Sequence, residues 1–191
     1  MSVTEIALSS TIIDHNLREL ITAVQADEAA STYPIEKLEA HVRDIQHVAI
    51  SIFVFRGSHM LLQKRAATKY HSGGLWANTV CSHPRWLESA ESCAGRRLQE
   101  ELGWNIPVNK IGEITYHARV GDLYENEHVH CFSGQFNDCN DVHNFNREEV
   151  SEIRWLSIPE ILSQIEREPD QFTEWFKIYM VEHRDMIVNI M

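Results

Sequence analysis

Apolar positions along this chain fall mostly into short runs with strand character, and only in a few places do they recur with helical period. Leu20 to Val24 is a compact apolar run that predicts a strand, followed by a polar turn around Gln25 to Thr32. Val48 to Phe55 is β-branched and aromatic, stops at Gly57-Ser58 and resumes from Met60 to Gln63, a pattern that predicts a hairpin. Ile111 to Arg119 and Glu127 to Phe136 flank a turn at Gly121-Asp122 and predict a second pair of strands.

Glu88 to Gly103 is the clearest helix, with Ala90, Cys93, Ala94, Leu98 and Leu102 on one face and Gly103 placed as a C-terminal cap. Towards the end, Val150 to Leu156 reads as a strand and Ser157-Ile158-Pro159-Glu160 as a capped helix start. Phe172, Trp175, Phe176, Tyr179, Met180 and His183 then recur with helical spacing. Strands with interspersed helices predict an α+β fold, a mixed curved sheet packed between helices. Residues 1–17 read as an N-terminal extension and 18–191 as a single domain, with no internal repeat or low-complexity linker.

Composition narrows the partners. A formal net charge of −11 argues against nucleic acid and anionic membrane surfaces, which are held by clustered Lys and Arg. A small anionic substrate remains compatible if local cations and carboxylate-bound metal ions receive it. No stretch reaches the ~20 apolar residues of a membrane span, and the start of the chain lacks a secretory pattern, so the expected location is cytoplasmic. The four cysteines form no CxxC pair and read as reduced thiols. Cys93, Cys131 and Cys139 have no pattern that assigns them chemistry, nor do His117, His128, His130 and His143.

Glu88 to Trp104 carries the first chemical signal. Glu88, Arg96, Leu98, Glu100, Glu101, Gly103 and Trp104 fall in register with the Nudix box, which this segment resembles. Two positions depart: Ser82 stands where the box has its glycine, and Arg97 where it has the first glutamate of its Arg-Glu pair. The missing carboxylate is one that Nudix hydrolases use to hold metals. Arg97 instead offers a cation to a phosphate and shares a helix face with Glu101, four residues on, although the same spacing also suits a plain surface ion pair.

The flanks add a second signal. Cys81 and His83 are two apart in Val80-Cys81-Ser82-His83-Pro84, and Glu125 and Glu127 are two apart in Tyr124-Glu125-Asn126-Glu127-His128. On extended strands each pair faces one way, and His41 and His47, six apart, would share a side if their segment is extended. Three imidazoles and two carboxylates make a five- or six-coordinate site for a first-row divalent ion. In a chain with eleven histidines, chance clustering and ordinary polar roles fit the spacing equally well.

Together these segments resemble the Nudix-type, metal-dependent isopentenyl diphosphate isomerases, from about Leu20 to the final helix. The most specific elements are Glu36-Lys37-Leu38-Glu39-Ala40-His41, Lys64-Arg65-Ala66 with Lys69, Leu75-Trp76-Ala77-Asn78-Thr79-Val80-Cys81-Ser82-His83-Pro84 and Tyr124-Glu125-Asn126-Glu127. The resemblance implies that His41, His47, His83, Glu125 and Glu127 bind a divalent ion, Mn2+, Mg2+ or Zn2+, and that Glu101 helps hold a Mg2+ on the substrate diphosphate. It implies Lys37, Arg65, Lys69 and Arg97 as phosphate contacts, Cys81 and Glu127 as a proton-transfer pair, Tyr116 as their assistant, and Trp175 as the ring facing a developing cation. The implied partner is a small prenyl diphosphate, and the implied state a monomer or weak homo-oligomer.

The chemistry is consistent with these roles, since protonating an unactivated alkene requires a placed acid, a dry pocket and an electron-rich face nearby. Read singly, Cys81 is also a small buried hydrophobe, Trp175 a packing residue and Tyr116 an ordinary strand residue. A Nudix hydrolase of a nucleoside diphosphate derivative is the competing enzyme, opposed by Arg97, and a non-catalytic phosphate- or metal-binding domain is the competing module.

Overall fold

The computed structural model describes residues 19–25, 31–137 and 144–188. The N-terminal extension, most of the turn expected at 25–32, Cys139 and His143 lie outside the described residues.

Among the described residues, nine strands form one mixed sheet. In chain order, β1 (Leu20–Val24) and β2 (Thr32–Glu36) lead into a short helix α1 (Lys37–Val42), then β3 (His47–Arg56), β4 (His59–Arg65), β5 (Trp76–Ala77) and β6 (Val80–Ser82). Helix α2 (Ala90–Leu102) follows, then the long strands β7 (Val108–Val120) and β8 (Leu123–Gln135), β9 (Val150–Ser157), and helices α3 (Ile158–Arg167), α4 (Glu174–Glu182) and α5 (Arg184–Val188). Strand β3 is the axis, running parallel to β8 from His47↔Glu127 to Phe55↔Gln135, while β8 pairs antiparallel with β7 along its length.

The sheet is covered on both faces, which explains why β3 is apolar along most of its length rather than alternating. One core gathers Cys93, Ala94, Leu98 and Leu102 of α2 against Ile50, Ile52, Val54 and Phe132. The other gathers Ile158, Ile161, Trp175, Phe176, Tyr179 and Ile187 of the C-terminal helices against Ala49, Phe53, Phe55 and Val129. Helix ends follow local chemistry: the Ser89 hydroxyl accepts from Ser92 N–H at 3.1 Å, Gly103 closes α2 at φ +72°, and Ser157 with Glu160 forms a reciprocal capping box at α3.

The expected hairpin at Gly57-Ser58 is present but short. Only Phe55↔Met60 and Arg56↔His59 pair, after which β4 leaves β3 to lie antiparallel to β9. The segment Trp76–Ser82 is wedged into the resulting gap, β5 pairing with β4 and β6 with β3. At its centre the buried Thr79 hydroxyl accepts from Val54 N–H at 2.8 Å and donates to Leu61 C=O at 2.8 Å, bridging the separated strands. Asn78 Nδ2 donates beside it to Ile52 O and Val80 O, each at 3.1 Å. Thr79→Val keeps the shape but strands a buried donor and a buried acceptor, and is expected to lower unfolding stability by about 3 kcal/mol in urea titrations.

The segment from Pro34 to His41 divides into the end of β2 and helix α1, because Glu36 turns the chain at the helix start. His41 therefore sits in a helix, so the condition under which it and His47 would share one side of an extended segment is not met. Phe172 lies outside the last helical run, extended and bridged to Trp76, with α4 starting only at Glu174.

Candidate active site

The gap opened by β3 and β4 continues into a solvent-open pocket. Every residue given a catalytic, phosphate-binding or metal-binding role from the sequence lines it except His41 and His47, which are fully buried beside His83. Strand β8 contributes Glu125 and Glu127 from its inward face, β7 contributes Tyr116, and β6 with the residue after it contributes Cys81 and His83.

The imidazole geometry is set by backbone carbonyls. His41 Nδ1 lies 2.7 Å from Lys37 O, one helical turn back, and His47 Nδ1 lies 2.8 Å from Ile45 O. Donation to these acceptors places the lone pair of both rings on Nε2, the tautomer a metal ligand needs. His47 Nε2 is 3.3 Å from His83 Nε2, which is 2.8 Å from Glu127 Oε1, and the buried His41 Nε2 has no hydrogen-bond partner. The ligand atoms of His41, His47, His83 and Glu127 all lie within 4.8 Å of one another, and Glu125 forms an overlapping group with His41 and His71. This donor set, which includes an orphaned buried nitrogen, fits a divalent ion bound by mixed nitrogen and oxygen ligands.

Protonation is divided sharply across this cluster. Burial holds His41 down and His83 down to about 3, so both are neutral. Burial and the adjacent Glu127 push Glu125 well above the usual carboxylate range. Burial would raise Glu127 as well, but the hydrogen bonds and proximity of His47 and His83 outweigh it and hold that carboxyl well below its usual range. Tyr116 OH donates to Glu127 Oε2 at 2.7 Å. Cys81 Sγ donates to Asn78 Oδ1 at 2.9 Å with Ser51 Oγ at 3.4 Å, and burial pushes its thiol up to about 12, so it carries its proton.

The other end of the pocket is cationic. Arg97 reaches Glu101 Oε1 at 2.7 Å, Glu100 Oε2 at 2.8 Å and Glu149 Oε1 at 3.2 Å, and Lys69 Nζ reaches Glu149 Oε2 at 2.6 Å. Glu101 also accepts from Gln63 Nε2 at 3.1 Å. Among the described residues Lys37 and Arg65 have no ion-pair carboxylate; Lys37 Nζ lies 5.8 Å from the Tyr70 ring and the Arg65 guanidinium 5.2 Å from the Trp175 ring. Cations drawn from water without a directly paired carboxylate are chemically suited to an incoming anion.

Sequence reasoning passes over Glu149, His71 and Ser51. Glu149 lies between Lys69 and Arg97 and is held down to about 2, burial opposing and the two cations prevailing. His71 lies 3.4 Å from Glu125 and edge-on to Trp175. Ser51 links Cys81 to Tyr179, donating to Tyr179 OH at 3.0 Å. Glu149 had one signal, a carboxylate immediately before the β9 run; a lone histidine in a loop and a serine inside an apolar strand had none.

Residues 45–176 match the NUDIX domain family model. Solved structures agree in fold: a protein from Deinococcus radiodurans superposes with a TM-score of 0.60 at 15% identity, covering 78% of this chain and 90% of the other. A MutT protein from Methanosarcina mazei Go1 does so at 0.56 and 16%, covering 76% and 96%. Fold and helix together define a Nudix-domain protein. Within that class, the isopentenyl-diphosphate Delta-isomerase of Rhodobacter capsulatus is 45% identical over 156 residues, 81% of this chain and 88% of the relative. The enzyme of the same name from Ruegeria pomeroyi is 45% identical, over 81% and 86%. The chain thus belongs to the isopentenyl-diphosphate Delta-isomerase family of Nudix proteins. No helix among the described residues is long and apolar enough to cross a membrane.

Proposed function

We propose that this enzyme interconverts isopentenyl diphosphate and dimethylallyl diphosphate with Cys81 and Glu127 as the proton-transfer pair. The observation that carries this reading is a thiol and a tyrosine-linked carboxylate lining one pocket that is also rich in cations, with burial pushing the thiol up and the neighbouring histidines holding the carboxyl down. One group gives a proton to the terminal methylene and the other takes one from the carbon next to the oxygen-bearing carbon, so the double bond moves and no water is consumed. In the reverse reaction the two exchange tasks.

Lys37, Arg65, Lys69 and Arg97 hold the diphosphate and so orient a hydrocarbon tail that offers no other grip. Arg97 and Lys69 exchange their carboxylate contacts for phosphate oxygens. Tyr116 keeps Glu127 Oε2 hydrogen-bonded while its charge changes. Trp175, packed at 3% exposure, presents an indole face to positive charge; Arg65 occupies that neighbourhood here, consistent with a cation-accepting surface worth ~2 kcal/mol when dry.

His41, His47, His83, Glu125 and Glu127 would hold a divalent ion, Mn2+, Mg2+ or Zn2+, and Glu101 a Mg2+ shared with the diphosphate. These ions would supply positive charge that keeps Glu127 ionised and neutralises phosphate oxygens. The test is incubation with isopentenyl diphosphate and Mg2+ in deuterated water, followed by NMR. Dimethylallyl diphosphate carrying deuterium, formed by the wild type and lost in Cys81→Ala, is expected; release of phosphate without a shifted double bond would replace this reading with hydrolysis.

A further inference from the structure

We propose that Glu113, His128 and His130 form a second metal site, of the Zn2+ class, on the face of the β7–β8 ribbon opposite the pocket. Residues alternate across this ribbon: Tyr116↔Glu127 faces the pocket, whereas the neighbouring pairs Thr115↔His128 and Glu113↔His130 face away. The site therefore shares strands with the catalytic cluster but none of its ligands.

Its geometry is that of a chelate. His128 Nε2 lies 3.1 Å from Glu113 Oε2, and His130 Nδ1 lies 3.3 Å from Glu113 Oε1. Two ligands at ~2.0–2.1 Å from a tetrahedral ion are separated by about 3.3–3.4 Å, close to these spacings. One ligand atom from each residue falls within 4.8 Å of the others. His130 Nδ1 is buried and has no hydrogen-bond partner. The opposite nitrogen of His128, Nδ1, is already engaged by Thr115 Oγ1 at 3.1 Å, which aims Nε2 at Glu113 in the manner of an outer-shell partner of a metal ligand. Two imidazoles and one carboxylate leave a fourth position for water, a set that favours Zn2+ over Mg2+. Lys110 Nζ, 2.6 Å from Glu113 Oε1, is the cation that the ion displaces.

The full-length enzyme dialysed against micromolar Zn2+ in excess Mg2+, with bound zinc measured by elemental analysis, tests this. The wild type is expected to retain one equivalent more than Glu113→Gln or His130→Gln, with both variants keeping isomerase activity, which also reports that they are folded. Lys110→Ala, which frees Glu113, is expected to tighten the extra site about threefold. Equal zinc content in the wild type and both variants, or an extra equivalent removed only by His83→Ala, would overturn the proposal.

Discussion

Glu127→Gln is expected to lower kcat for double-bond transfer by about four orders of magnitude, the upper range for removing a positioned acid or base. The substitution preserves volume and one acceptor oxygen, but an amide cannot take a proton and return it. Its neighbourhood is built around charge: Tyr116 OH at 2.7 Å and His83 Nε2 at 2.8 Å both point at carboxylate oxygens, and one of them would meet an NH2 group instead. Because Glu127 is also a member of the histidine cluster, bound divalent metal must be measured in the variant alongside the rate. A protein that keeps its metal and loses turnover assigns the defect to proton transfer. Cys81→Ala is expected to cost a similar factor and the double variant little more, since two halves of one relay are not additive. Near-normal turnover in a metal-replete Glu127→Gln enzyme would remove Glu127 from the chemistry.

What could be read from the chain alone depended on how local the cause is. Strand β1, helix α2 and the Ser157 cap lie where short-range pattern placed them, because run length, helical period and capping chemistry are all written within a few residues. The short hairpin was not legible. Nothing between Val48 and Gln63 shows that Thr79, many residues later, will take Val54 N–H and Leu61 C=O and hold the strands apart. For the site, Glu125 and Glu127 face one pocket for the reason their spacing suggests. His41 and His47 converge for another, a helix ending beside the start of a strand, so a parity argument reached a proximity whose geometry it misdescribed. Glu149 and His71 escaped because their proximity to the site is purely tertiary, set by the β4–β9 pairing and by the loop after β4.

Arg97→Gln is expected to raise KM for isopentenyl diphosphate about 10- to 100-fold with a smaller change in kcat, the value of one charge-assisted contact at ~1.5–3 kcal/mol. Arg97 occupies the position where the Nudix box carries a glutamate, and its partners explain what the exchange achieves. In the free enzyme it pairs with Glu100, Glu101 and Glu149 together, and although its charge opposes the shift, burial still raises Glu101 above the usual carboxylate range. On the proposed reading, a diphosphate entering beside Lys69 would offer oxygens in place of Glu149, so the same guanidinium would serve the empty and the occupied pocket. The neutral amide would leave Glu101, at 2% exposure, without its counter-charge, so some loss of stability should accompany the loss of affinity. Separating the two requires steady-state kinetics beside a denaturation curve. A KM change at unaltered kcat identifies a phosphate contact, since grip on the diphosphate acts equally on the ground and transition states. A stability loss with unchanged KM would make Arg97 a structural ion pair and leave the diphosphate to Lys37, Arg65 and Lys69.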